Sequence, residues 1–205
     1  MQHRKSTVEI MIEEIPKHNH HLLIHPKPKI DLFNVIQNSY HPQQHAFEQH
    51  GYIYDKEYSD HETQVYHRHP RKHTIISTKG TNPYNLHDIG VDTELILGNV
   101  KNTKRFKKTE KALKYAKDNL KHRVHLVGHS LGHAINSIAA GKHDKVTGVN
   151  GPPHRHEIKT KNYKHYGVQG DLISKYAHKT QEIKHENKKV GAHSYHHILN
   201  HQLEL

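Results

Sequence analysis

Arg123–Val124–His125–Leu126–Val127–Gly128–His129–Ser130–Leu131–Gly132–His133–Ala134 is the stretch on which the fold turns. Val124, Leu126 and Val127 form a β-rich run and predict a strand over 123–127. Leu131 to Ala140 is mostly small and apolar and predicts a helix. Between them stands Gly128–His129–Ser130–Leu131–Gly132, the spacing of a nucleophile elbow. A strand that turns directly into a helix leaves no room for side chains beside the serine, so glycines flank it. The helix start behind Ser130 also favours negative charge, because unbonded N–H groups and the helix dipole converge there. A bare G-x-S-x-G is weak; the strand before it and the helix after it give it weight.

Outward from this stretch, strands and helices alternate. Upstream, Ile30–Ile36 is a short amphipathic segment that predicts a first helix, and strands are expected around 51–54, 63–67 and 73–78. The segment 83–97 is expected to open with a helix. Over 103–120, Phe106, Leu113, Ala116 and Leu120 share a helical face, with Thr103 or Asn102 as cap. Downstream, strands are expected over 146–150 and 163–168, then a turn at Gln169–Gly170–Asp171 and a last helix over about 193–203. The order predicts an α/β fold: a mostly parallel central sheet with helices on both faces, its chemistry at the carboxyl ends of the strands. One domain is expected over 31–205. Residues 1–30, interrupted by Pro16, Pro26 and Pro28, are expected to form an arm.

The elbow resembles that of the class 3 lipases, which typically carry G-H-S-L-G-G-A. Gly128, His129, Ser130, Leu131, Gly132 and Ala134 match it, and His133 stands where the family has its second glycine. Ile75–Ile76–Ser77–Thr78–Lys79–Gly80–Thr81 is similar to the family's strand ending in R-G-T, with Lys79 in place of arginine. The resemblance covers roughly residues 45–203 and implies an α/β-hydrolase-like fold and a serine hydrolase of lipid esters needing no cofactor. It also implies that Thr81 helps to build the oxyanion hole, with the backbone N–H of Leu131 as second donor. Asp88 and Asp92 follow at a similar spacing and are read as structural. The lysine- and asparagine-rich composition further resembles lipase-like proteins of large DNA viruses, which makes a virion-associated or cytoplasmic location an expectation.

Serine at neutral pH is a poor nucleophile and needs a base oriented by an acid; in this class the chain order is serine, acid, histidine. Asp144 precedes a strand and is expected at the wrong end of the sheet. Asp171 follows the strand over 163–168 and sits in Gly170–Asp171–Leu172–Ile173–Ser174, similar to the family's G-D-x-V/I-S segment, so it is the expected acid. His178, His185, His193, His196, His197 and His201 all follow it. Gly191–Ala192–His193–Ser194 resembles the family's terminal H-S segment, which makes His193 the expected base and His196 or His197 its rivals.

Composition sets outer limits. The chain has 205 residues, of which 32% are hydrophobic, and a mean hydropathy of −0.98. Its apolar residues gather in short blocks, which argues for folding over disorder. Cysteine is absent, which excludes disulfides and thiolate sites. No run of 18 apolar residues and no signal-peptide core occur in it. A net charge of +11 with 27 histidines suits an anionic membrane surface, the more so below pH 6.5, or a lysine-filled solvated surface. No nucleic-acid motif appears, so no specific nucleic-acid partner is expected. Histidine pairs spaced for chelation, His129/His133 and His193/His197, overlap the triad segments and arise by chance at this abundance, so no metal site is expected. The competing reading is a non-catalytic basic protein, membrane- or capsid-associated, on a hydrolase fold.

Overall fold

In the computed structural model, residues 30–80, 99–151, 158–168 and 180–183 are described. They build a seven-stranded sheet whose strands lie side by side in sequence order. The strands are β1 (Ile53–Tyr54), β2 (Thr63–Arg68), β3 (His73–Thr78), β4 (Arg123–His129), β5 (Lys145–Val149), β6 (Asn162–Val168) and β7 (Thr180–Ile183). The first three are antiparallel, and from β3 to β7 every neighbour is parallel. Helices α1 (Leu32–Tyr40), α2 (Lys104–Asp118) and α3 (Leu131–Ala139) accompany them.

Alternation along the central strands produces two cores. Ile75, Val127 and Val149 face one side, where Val35 and Ile36 of α1 cover them with Phe47, Tyr52 and Tyr66. Ile76, Leu126 and Val146 face the other, under Ala112, Leu113 and Ala116 of α2. Ile135 and Ile138 of α3 meet Phe106 and Val100 in a third cluster that joins the two helices. Helices thus cover both faces, as expected of an α/β-hydrolase-like sheet. Each fully buried Val, Ile or Leu contributes about 1.5–3 kcal/mol, so short apolar blocks suffice in a lysine-rich chain.

Helix α2 follows its predicted pattern with one departure. Phe106, Thr109, Ala112, Leu113 and Ala116 are buried, and the Thr103 side chain caps the start by accepting from the Phe106 N–H. Leu120 falls beyond the helix, which stops at Asp118. Strand β7 has no counterpart among the expected elements. Its sequence, Thr180–Gln181–Glu182–Ile183, carries little apolar signal, and parallel pairing with β6 defines it. The expected helices in 83–97 and 193–203 lie outside the described residues.

Candidate active site

Ser130 stands between the last residue of β4 and the first of α3, buried, with φ 53° and ψ −127°. A non-glycine residue in that region is strained, by about 1–3 kcal/mol, and persists only where its surroundings over-determine it. Backbone hydrogen bonds hold it from both β5 and α3. The Ser130 N–H donates to the Val149 carbonyl at 2.9 Å, tying the turn to β5, while its own carbonyl accepts from His133 N–H at 3.0 Å and starts α3.

Two glycines let the helix press against the sheet. A methyl group on Gly132 would overlap the Thr78 carbonyl, and one on Gly128 would lie 2.6 Å from the Gly132 carbonyl carbon. Asn136, one turn further along α3, locks this approach: its Nδ2 donates to the Val127 carbonyl at 2.8 Å, and its Oδ1 accepts from the Thr78 hydroxyl at 2.7 Å. Thr78 also meets the Thr109 hydroxyl of α2 at 3.2 Å. All three side chains are buried, so the network is costly to break. Asn136 escaped the sequence reading because a lone asparagine in a helix carries no signal until its neighbours across the sheet are known.

The segment after β3 is drawn over the elbow. A methyl group on Gly80 would lie 2.6 Å from the Tyr40 hydroxyl and 3.1 Å from Ser130 Cβ. Arg105 of α2 holds this segment by donating to the Lys79 carbonyl at 2.9 Å and pairing with Glu62. The Arg105 guanidinium keeps the Glu62 carboxyl below the usual carboxylate range. Lys79, the departure from arginine, lays its ammonium over the Tyr40 ring at 5.4 Å from the centroid. The Tyr40 hydroxyl in turn meets His129 Nδ1 at 2.9 Å.

His133 is housed without crowding the elbow. Its ring lies over β5 and β6, stacked on His165 with centroids 4.9 Å apart, and its Nε2 meets the Tyr163 hydroxyl at 2.8 Å. The slot exists because Gly148 and Gly151 have no side chain there. His165 Nε2 accepts the Gly151 N–H at 3.0 Å, which requires a neutral ring with its proton on Nδ1. His129 and His133 do not form a helical chelating pair, because His129 closes β4 and turns to Tyr40. Among the described residues no group of three or more metal-ligating side chains converges.

Of the expected site residues, Ser130 and Leu131 are described. Leu131 opens α3, where helix geometry leaves its N–H without an intrahelical acceptor. Thr81, Asp171 and His193 lie outside the described residues, as do Asp88, Asp92 and the rival histidines. Thr81 follows Gly80 directly, and Asp171 comes three residues after the end of β6. Strands β3, β4 and β6 end at the same edge of the parallel sheet. Asp144 lies at the opposite edge, before β5, and accepts from Lys117 Nζ at 3.0 Å and Gly141 N–H at 2.7 Å.

The sheet and the strand-to-helix turn at Ser130 together give the chain an α/β-hydrolase-like fold. Among solved structures, the chain resembles the Rhizomucor miehei lipase in its propeptide complex, with a TM-score of 0.53 and 12% identity over 77% of this chain and 67% of that one. It also resembles Lip2 lipase from Yarrowia lipolytica, with a TM-score of 0.50 and 13% identity over 76% of each chain. No protein-family model and no curated protein matches the sequence. At such identities the likeness is one of fold. No helix among the described residues is long and apolar enough to cross a membrane.

Proposed function

We propose that the protein hydrolyses carboxylic esters of lipids, acylglycerols or phospholipids, with Ser130 as nucleophile, His193 as general base and Asp171 as its orienting acid. The Ser130 oxygen attacks the ester carbonyl while its proton passes to His193. The Leu131 N–H and Thr81 stabilise the resulting oxyanion. Collapse expels the alcohol, which takes the proton from His193, and water repeats the sequence on the acyl-serine. The observation that carries this reading is the strained Ser130 backbone, held by Val149, Gly128 and Gly132 at a strand-to-helix turn. A merely structural serine would not require it.

Fluorophosphonate labelling together with short-chain ester turnover tests the proposal. Ser130→Ala is expected to abolish both while leaving the circular dichroism spectrum unchanged. His193→Gln should lower turnover by orders of magnitude and His196→Gln should not. A large loss at His197 instead would assign the base to that residue. Labelling and turnover that survive Ser130→Ala would end the hydrolase reading and leave a binding protein on this fold.

A further inference from the structure

At the amino ends of β3 to β6, opposite the elbow, a cavity of about 520 Å³ opens between strand starts, and every charged side chain on its wall is basic. Arg123, Lys145, Lys161 and Lys164 line it, with His73 and His143 beside them. Register explains the convergence. Arg123 pairs with His73, His125 pairs with Lys145, and Thr147 pairs with Lys164. Two-residue alternation therefore places Arg123, Lys145 and Lys164 on one face, stepping diagonally across three strands about 4.8 Å apart.

These charges lack counter-ions among the described residues. Among the described residues none of the four cations forms an ion pair with a carboxylate; the nearby Asp144 is buried and turned to Lys117 and Gly141. Burial and the neighbouring Lys164 push the Lys145 ammonium down from its ordinary value. His73 is driven down to about 4 by burial and by Arg123 and Lys145. Like charges held together cost stability unless something anionic joins them.

We propose that this groove binds a ligand carrying two or more phosphate groups close together, either a soluble polyphosphorylated molecule or a multiply phosphorylated lipid headgroup. One phosphate cannot reach cations spread over three strands, whereas clustered phosphates can. A concave site of this volume fits a small ligand or headgroup better than a long nucleic-acid tract. The site is separate from the ester chemistry: β4 runs seven residues from Arg123 to His129, or roughly 20 Å at 3.3 Å per residue.

Calorimetric titration of the full chain with tripolyphosphate and with orthophosphate, at physiological salt, tests the proposal. Tripolyphosphate is expected to bind at least about tenfold more tightly than orthophosphate, as several charge-assisted bonds act together. The pair Lys145→Gln, Lys164→Gln should weaken it at least about tenfold. The exposed pair Lys107→Gln, Lys114→Gln on α2 removes the same net charge and should change it less than about twofold. Arg123→Gln gives an independent variant if the double one does not fold. Ser130→Ala should bind normally, so the groove stands or falls apart from the hydrolase reading. Binding to vesicles of phosphatidylcholine with a phosphatidylinositol bisphosphate, lost in Lys145→Gln, Lys164→Gln, would assign the source as a headgroup; tripolyphosphate binding without vesicle binding would assign it as soluble. Equal losses in both lysine pairs, no loss in either, or tighter and equally sensitive binding of a single-stranded RNA oligomer would overturn the proposal.

Discussion

The two ends of one sheet are built on opposite terms. At the carboxyl end of β4, backbone meets backbone: Gly128 and Gly132 let α3 touch β3, Gly80 brings the next segment to Ser130, and the buried Asn136 and Thr78 side chains lock the approach. At the amino end, side chains set the character, and Arg123, Lys145, Lys161 and Lys164 stand together, none paired with a carboxylate among the described residues. A tight strand-to-helix turn needs backbones to approach closely, which glycine encodes locally. An electrostatic groove needs only that separate strands begin at one edge.

The sharpest way to break the glycine-built end is Gly132→Ala. The added methyl would meet the Thr78 carbonyl, which is backbone held in the β3–β4 ladder and cannot swing aside. A loss of more than about 3 kcal/mol in chemical denaturation is expected, at the severe end of overpacking effects. An alanine variant of near wild-type stability would show that α3 leaves room for a methyl group beside the Thr78 carbonyl.

The amino end answers to acid instead. His73 is held down to about 4 in the folded protein by burial and by Arg123, Lys145, His122 and Arg68, while unfolded histidine titrates near 6.5. The unfolded state therefore binds the proton first, so this stability is fully present above pH 6.5 and is lost as pH falls below it. Between pH 7.5 and 5 the wild type should lose about 2 kcal/mol more than His73→Gln, at 1.36 kcal/mol per unit. His67, His122 and His125 shift the same way, each chiefly through burial. Staying above pH 4.5 keeps Glu62 ionised, so its pairing with Arg105 does not confuse the measurement. Equal losses in the two proteins would show that His73 is solvated.

These contrasts also mark what the sequence could disclose. The elbow was legible because strand, serine, glycines and helix are contiguous, and each rests on a local rule of sterics or periodicity. The α2 face and the Thr103 cap were legible for the same reason. Asn136, Tyr40 and Arg105 were not, since their meaning lies in partners 9 to 89 positions away. Strand β7 lacks an apolar signature and exists through pairing. Histidine misled in a different way. Abundance suggested a surface charged by mild acid, yet of the thirteen described histidines seven are buried, at 50, 67, 122, 125, 129, 133 and 165. Composition counts residues without saying which face they take.

The smallest effect isolates the backbone of the elbow from its chemistry. Ser130 and Lys72 both have positive φ, but they differ in kind. Lys72, between β2 and β3 at the amino end, has φ 46° and ψ 53°, the left-handed conformation of ordinary turns. Ser130, at φ 53° and ψ −127°, lies far from that basin, where glycine is the residue without a steric penalty. Ser130→Ala keeps Cβ and therefore keeps the strain, so its stability should match the wild type. Ser130→Gly removes the strain but makes the unfolded chain more flexible, which costs about 0.5–1 kcal/mol. Against relief of about 1–3 kcal/mol, the net gain over Ser130→Ala should be about 1 kcal/mol. Lys72→Gly should gain less, because its starting conformation is less strained. Both variants at Ser130 should be inactive, so stability alone separates them. If Ser130→Gly is less stable than Ser130→Ala, the turn is relaxed, and the support that strain lends to a nucleophile at Ser130 is withdrawn.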